Sequence, residues 1–170
     1  VASPRLVEIE RRKIRKVESD GMLLGRAELG LEEESAGIWE LPIDAPIGTD
    51  IVELSRVQGI YDRYGEHFAK RILMDEELEL FHRARDPVRF LAMRFAGKEA
   101  TVKAMGTGFA HGVWLRDVGV LNNEWGRPVI VWSERGSRVC ARLGIGSGHL
   151  SLTDDAGLVL AFAVVERAEH

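Results

Sequence analysis

One stretch limits the possible folds more than any other: Val88 to Met105, entered through Asp86-Pro87 and left through Gly106-Thr107-Gly108. Proline pre-sets φ for a first helical turn and lacks an N–H that such a turn leaves unbonded anyway, while glycine just past the end takes the left-handed conformation that closes a helix. Phe90, Leu91, Phe95, Ala96 and Val102 lie along this helix, so part of it faces a core. The period then changes to two. Leu115 to Leu121 and Pro128 to Trp132 read as a hairpin around the loop Asn122–Arg127, and His149 to Thr153 with Leu158 to Glu166 read as a second pair joined at Asp154-Asp155-Ala156-Gly157. A long helix followed by antiparallel hairpins predicts an α+β domain, with a mixed or antiparallel sheet packed on that helix, rather than a βαβ nucleotide fold.

The flanking segments fill in the rest. Ile47 to Leu54 is short and β-branched, a strand entering the core. Ser55 can cap a helix running to Tyr64 and stopped by Gly65; Asp75 opens another, Glu76 to Arg85; Ser133 to Leu143 is a third, with glycine punctuation over residues 144–148. Residues 1–46 differ in texture, carrying 7 Lys+Arg against 10 Asp+Glu in blocks: Arg11 to Lys16 basic, Glu32-Glu33-Glu34 acidic, then Pro42 and Pro46. Such blocks read as a solvated extension of unknown role, although Leu6, Val7, Ile9, Ile14 and Val17 could form one packing stripe. The expected division is therefore 1–46, extension, and 47–170, domain.

Composition narrows the classes of function. At 170 residues, 45% hydrophobic and 29% charged, the chain has room for one core plus an appendage. No run approaches 18 apolar residues, so no membrane span is expected. A net charge of -4 lacks the footprint of a general nucleic-acid binder. The single cysteine, Cys140, cannot form an internal disulfide, which points to a reducing, cytoplasmic setting.

Three constellations could carry chemistry. Glu99 and Lys103 stand four apart on one helix face, just before the Gly-Thr-Gly exit. They could hold a metal beside a phosphate, or be a solvated ion pair. Asp50 sits among Ile47, Ile51, Val52 and Leu54, where an aspartate needs a partner. It could cap a turn, or with Glu99 supply the one or two carboxylates that Mg²⁺ takes from a protein. His149, Ser151 and Thr153 alternate onto one strand face, lining a phosphate pocket or forming the wet side of an edge strand. The chain has no GxGxxG, Walker loop, CxxC, HExxH or G-x-S-x-G.

Taken in order, IGTDIVELSR (Ile47–Arg56), FAKRIL (Phe68–Leu73), RFLAMRFAGKEATVKAMGTG (Arg89–Gly108), Asp117 to Pro128 and HLSLTDDAGLVLAFAVVE (His149–Glu166) resemble the holo-acyl-carrier-protein synthases, 4′-phosphopantetheinyl transferases that modify carrier proteins. The resemblance spans about residues 47–167. It implies a single domain of that fold, assembled as a homotrimer with active sites between subunits. It implies Asp50 and Glu99 as ligands of Mg²⁺ (Mn²⁺ as a substitute), and Lys103 beside the coenzyme A pyrophosphate. Gly106, Thr107, Gly108, Lys98 and His149 become further coenzyme A positions, and Arg56 and Arg63 the surface meeting an apo acyl carrier protein. Glu99 is the expected general base and Lys103 its catalytic companion.

Two departures stand out. Thr153 and Asp154 replace part of the family's H-x-S-x-S-H pattern, and Asp62 and Glu66 make the carrier helix less basic. The other readings are the same chemistry dedicated to a polyketide or multienzyme carrier, and a catalytically silent carrier- or nucleotide-binding module.

Overall fold

The structure, a computed structural model, describes residues 45–168. Of the expected charge-blocked extension, 1–46, residues 1–44 lie outside them. In chain order the elements are β1 (Ile47–Glu53), α1 (Leu54–Tyr64), α2 (Glu66–Ile72), α3 (Asp75–Phe81) and α4 (Pro87–Ala104). A 3-10 turn (Leu115–Asp117) follows, then β2 (Val118–Asn122), β3 (Pro128–Trp132), α5 (Glu134–Leu143), β4 (Ile145–Asp155) and β5 (Leu158–Arg167). The five strands form one sheet in the order β1-β5-β4-β3-β2, every neighbour antiparallel. This is the expected α+β arrangement. Among the described residues no helix is long and apolar enough to cross a membrane.

Packing of α4 on β1 and β5 organises the domain. Asp86 caps α4 by accepting the Arg89 backbone N–H at 2.9 Å, with Pro87 in the first turn. Ala92, Ala96, Ala100 and Ala104 recur every four residues on the buried side, facing the small residues Ala161 and Ala163 of β5 within one core. Small side chains on both surfaces let helix and sheet approach closely. At Gly48 the approach leaves no room at all: a Cβ there would lie 2.0 Å from the Ala100 carbonyl oxygen.

Five local expectations change, one being that Leu115–Asp117, read as the start of a strand, forms the 3-10 turn that precedes β2. Ser55 is not a cap: α1 begins one residue earlier, with Glu53 in the N-cap position and no side-chain cap, and the Leu54 N–H donates instead to the Gly157 carbonyl at 2.9 Å. The turn between β4 and β5 thus satisfies the helix start that a serine was expected to satisfy. α2 was not expected, because Gly65 reads as a stop. Gly65 takes φ +52° and lets a new helix start on the next residue. α3 ends at Phe81 rather than Arg85. The glycine run after α5 is the opening of β4, where the pairing register shifts between Ile145 and Gly148.

The two faces of the sheet differ sharply. Gly48, Val52, Val159, Ala161 and Ala163 face α4 and are buried. On the other face Ile47 and Ile51 are 55% and 61% exposed, beside Leu160 and Phe162 at 46% and 42%. In β1, then, half of the expected core strand is an apolar surface open to solvent.

Candidate functional site

Register delivers Asp50 to the helix. It pairs with Ala161 in β5, and alternation turns its side chain to the same face as Gly48 and Val52, the face covered by α4. Because Gly48 admits the helix so closely, the Asp50 carboxylate reaches Lys103, whose ammonium donates to Asp50 Oδ1 at 2.7 Å and to the Thr49 carbonyl at 3.1 Å. Asp50 is nearly enclosed, its side chain 13% exposed, whereas that of Lys103 is 47% exposed. Glu99 lies one turn before Lys103 and is half-buried. Burial pushes its carboxyl above the ordinary glutamate value, the Asp50 charge pushes it further, and Lys103 offsets part of this. Two carboxylates and one ammonium therefore meet at one end of α4, beside a chain exit.

That exit is the Gly-Thr-Gly segment. Gly106 and Gly108 take φ +72° and +56°, with open space where a Cβ would be, so conformation and not crowding demands glycine there. Gly106 N–H donates to the Lys103 carbonyl at 3.0 Å, and the N–H groups of Thr107 and Gly108 both donate to Val102, at 3.2 and 3.1 Å. The loop is thereby fixed against the helix end that carries Lys103, its own amides already used.

Other candidates lie elsewhere. His149 is on β4, on the face opposite Leu150 and hence away from α4. Its Nε2 is 2.9 Å from Glu166 Oε1 and its Nδ1 3.1 Å from an Arg127 guanidinium nitrogen, so within one chain it does not join Asp50. Arg56 and Arg63 are exposed on α1, the Arg63 guanidinium 5.2 Å from the centre of the Tyr64 ring.

Lys98 requires a correction. Its side chain is fully buried, and its ammonium donates to Glu77 Oε2 at 2.6 Å, the Ile72 carbonyl at 2.6 Å and the Leu115 carbonyl at 3.1 Å. Glu77 in turn accepts the backbone N–H groups of Met74 and Val120, each at 2.8 Å. With its donors spent inside this network, Lys98 ties α2, α3, α4 and β2 together and offers nothing to a ligand in solvent.

The sequence pattern of the 4′-phosphopantetheinyl transferase superfamily matches residues 46–163. The chain belongs to that superfamily. It is 48% identical over 121 residues to the holo-[acyl-carrier-protein] synthase of Aromatoleum aromaticum, covering 71% of this chain and 96% of the relative. The crystal structure of holo-[acyl-carrier-protein] synthase from Neisseria meningitidis superposes with a TM-score of 0.69 at 42% identity, over 72% of this chain and 98% of that one. The Helicobacter pylori holo-[acyl-carrier-protein] synthase, solved in complex with coenzyme A, superposes with a TM-score of 0.63 at 29% identity, over 71% and 99% of the two chains.

On this transferase fold two features escape sequence reasoning. Arg94 is 7% exposed and its Nε has no partner among the described residues. One terminal nitrogen donates to Asn122 Oδ1 at 3.1 Å, and the guanidinium lies 4.4 Å from the Phe90 ring centre. Arg85, Asp86, Arg89 and Asn122 share its cavity of about 430 Å³, a polar recess with one buried donor still unspent. The second feature is a groove of about 490 Å³ between α1 and α2, lined by Ile60, Tyr64, His67, Phe68 and Arg71. Ile60, Tyr64 and Phe68 are four apart, but the glycine stop at Gly65 hides that they share a surface. No comparable signal in the sequence marks Arg94.

Proposed function

We propose that this chain transfers the 4′-phosphopantetheine group of coenzyme A to a serine of apo acyl carrier protein, releasing 3′,5′-ADP. The observation that carries the reading is the meeting of Asp50, Glu99 and Lys103 at one end of α4. The serine oxygen attacks the β-phosphorus, the bond to the bridging oxygen of the pyrophosphate breaks, and negative charge develops on the departing ADP. Such a reaction needs positioning and charge neutralisation more than covalent help. Lys103, half-exposed and anchored by Asp50, is placed to neutralise the leaving oxygen. Glu99, its carboxyl lifted by burial and by Asp50, is suited to take the serine proton. Asp50 and Glu99 form an all-oxygen donor pair of the kind Mg²⁺ uses, with Mn²⁺ as a replacement, and substrate phosphates and water would complete the shell. When bound there, the ion supplies electrostatic stabilisation of the pyrophosphate oxygens.

Residues 47–170 act as the transferase unit in this reading. Gly106, Thr107, Gly108 and His149 contact coenzyme A. Because His149 and Asp50 lie on opposite faces of the sheet, we take the site to form between subunits of a homotrimer. The exposed Ile47, Ile51, Leu160 and Phe162 support an interface on the outer face. Arg56 and Arg63 steer the acidic carrier, and the free, buried Cys140 accords with a cytoplasmic setting. The test is intact-mass analysis of apo carrier protein after incubation with this chain, coenzyme A and Mg²⁺. The expected result is a gain of one phosphopantetheine arm, lost with EDTA and with Asp50→Ala or Glu99→Ala. No gain on any fatty-acid or polyketide carrier overturns the reading and leaves a silent binding module.

A further inference from the structure

We infer that the groove between α2, the Phe109–Arg116 segment and α5 is a second docking surface for the acidic carrier protein, joined to the α1–α2 groove through Arg71; this rests on the transferase reading above. The groove has a volume of about 570 Å³ and is lined by Arg71, Phe109, Trp114, Leu115, Arg116 and Arg135. Arg71 also lines the α1–α2 groove, so the two recesses are neighbours on one surface.

The wall is built to present an aromatic side chain. Trp114 is 64% exposed, yet its backbone N–H donates to Asp117 Oδ2 at 2.8 Å and the Arg135 guanidinium lies 5.8 Å from its ring centre. Arg135 is held in turn by both Asp117 oxygens at 2.9 Å, and Asp117 is buried. The floor is equally fixed: Lys98 binds the carbonyls of Ile72 and Leu115, and Arg116 Nε donates to Leu73 at 3.0 Å. An exposed tryptophan on a rigid support gives up little freedom when a partner covers it, the usual character of a binding hot spot.

Charge selects the occupant. Arg135 is paired with Asp117 and Arg116 with Asp75, but Arg71 makes no hydrogen bond or ion pair to the described residues. The groove therefore offers one uncompensated cation next to an apolar wall. It fits a helix of the acidic carrier that brings one carboxylate to Arg71 and one aliphatic side chain between Phe109 and Trp114. A second copy packed face to face would set Arg71 against its own symmetry mate, which disfavours self-association there.

Steady-state transfer kinetics test this in the full chain, varying carrier at saturating coenzyme A and then the reverse. Trp114→Ala is expected to raise the carrier KM about tenfold, and Trp114→Phe to restore it to within about twofold, while the KM for coenzyme A stays put. Arg71→Glu, at an exposed residue with no partner to lose, is expected to raise the carrier KM and flatten its dependence on salt. The inference is overturned by an unchanged carrier KM in Trp114→Ala, whatever Arg71→Glu does, since Arg71 also lines the α1–α2 groove. It also fails if the KM for coenzyme A moves instead, marking a nucleotide site, or if light scattering shows a changed oligomeric state, marking contact between copies. Should the unaltered chain modify no carrier, the transferase reading itself falls and takes this inference with it.

Discussion

Asp117 illustrates how one buried side chain can hold several elements. Burial works against its charge, but hydrogen bonds from the Ser133 hydroxyl, Arg135 and the Trp114 N–H outweigh it and hold the carboxyl below the ordinary aspartate value. A carboxyl with a lowered folded-state pKa stabilises the fold fully above the unfolded value, about 4, and loses that contribution as pH falls through the folded value. Asp117→Asn should therefore cost about 2 kcal/mol at neutral pH, and the gap to the unaltered chain should narrow in melts below pH ~4. The Glu77–Lys98 pair makes a different case. Burial drags the Lys98 ammonium below its usual value while Glu77 pulls it back. Lys98→Met strands a buried carboxylate and should cost about 3–5 kcal/mol, whereas adding Glu77→Gln should recover part of that loss in a denaturant titration. Cys140 is simpler: burial raises its thiol to about 11, so alkylation at neutral pH should be slow in the native protein and fast in denaturant.

Among elements, the contact between β1 and α4 matters most, because the Asp50–Glu99–Lys103 cluster exists only where these two meet. Gly48→Ala would drive a methyl group into the Ala100 carbonyl and to within 2.4 Å of the Ala104 nitrogen, both backbone atoms that cannot swing aside. The helix must then lift from the strand. We expect a loss of stability above about 3 kcal/mol and loss of transfer, read by thermal melting and by the mass assay. Gly106→Ala meets no crowding and should cost only about 1 kcal/mol, through the left-handed conformation it must hold.

At the scale of the whole molecule, the proposed trimer interface falls on the outer face of the sheet. Ile47, Ile51, Leu160 and Phe162 form a contiguous apolar surface on the paired strands β1 and β5, with His149 on the same side of the sheet. If this surface closes a trimer and completes the site, Phe162→Glu should yield monomers by light scattering. It should abolish transfer while leaving the melting of the isolated fold largely intact, because the residue is already open to solvent in one chain. A variant that stays trimeric, or a monomer with full activity, would place the assembly elsewhere.

Much of this protein is local information. The proline entry and glycine exit mark α4 to within a residue at each end, alternation marks the strand pairs, and the i, i+4 spacing puts Glu99 and Lys103 on one face. These follow from backbone sterics and period, which act over a few residues. The α+β class and the candidate residues Asp50, Glu99 and Lys103 were legible for that reason. What lay beyond reach depends on residues distant in the chain. Gly65 reads as a stop because nothing nearby says that a helix resumes after it, and Ser55 reads as a cap because the Gly157 carbonyl that replaces it lies about a hundred residues away. Lys98 and Glu99 are adjacent in sequence and equally polar. Only the fold seals one against Glu77 and two backbone carbonyls while leaving the other beside Asp50, since burial and electrostatic partners are set by packing and not by spacing.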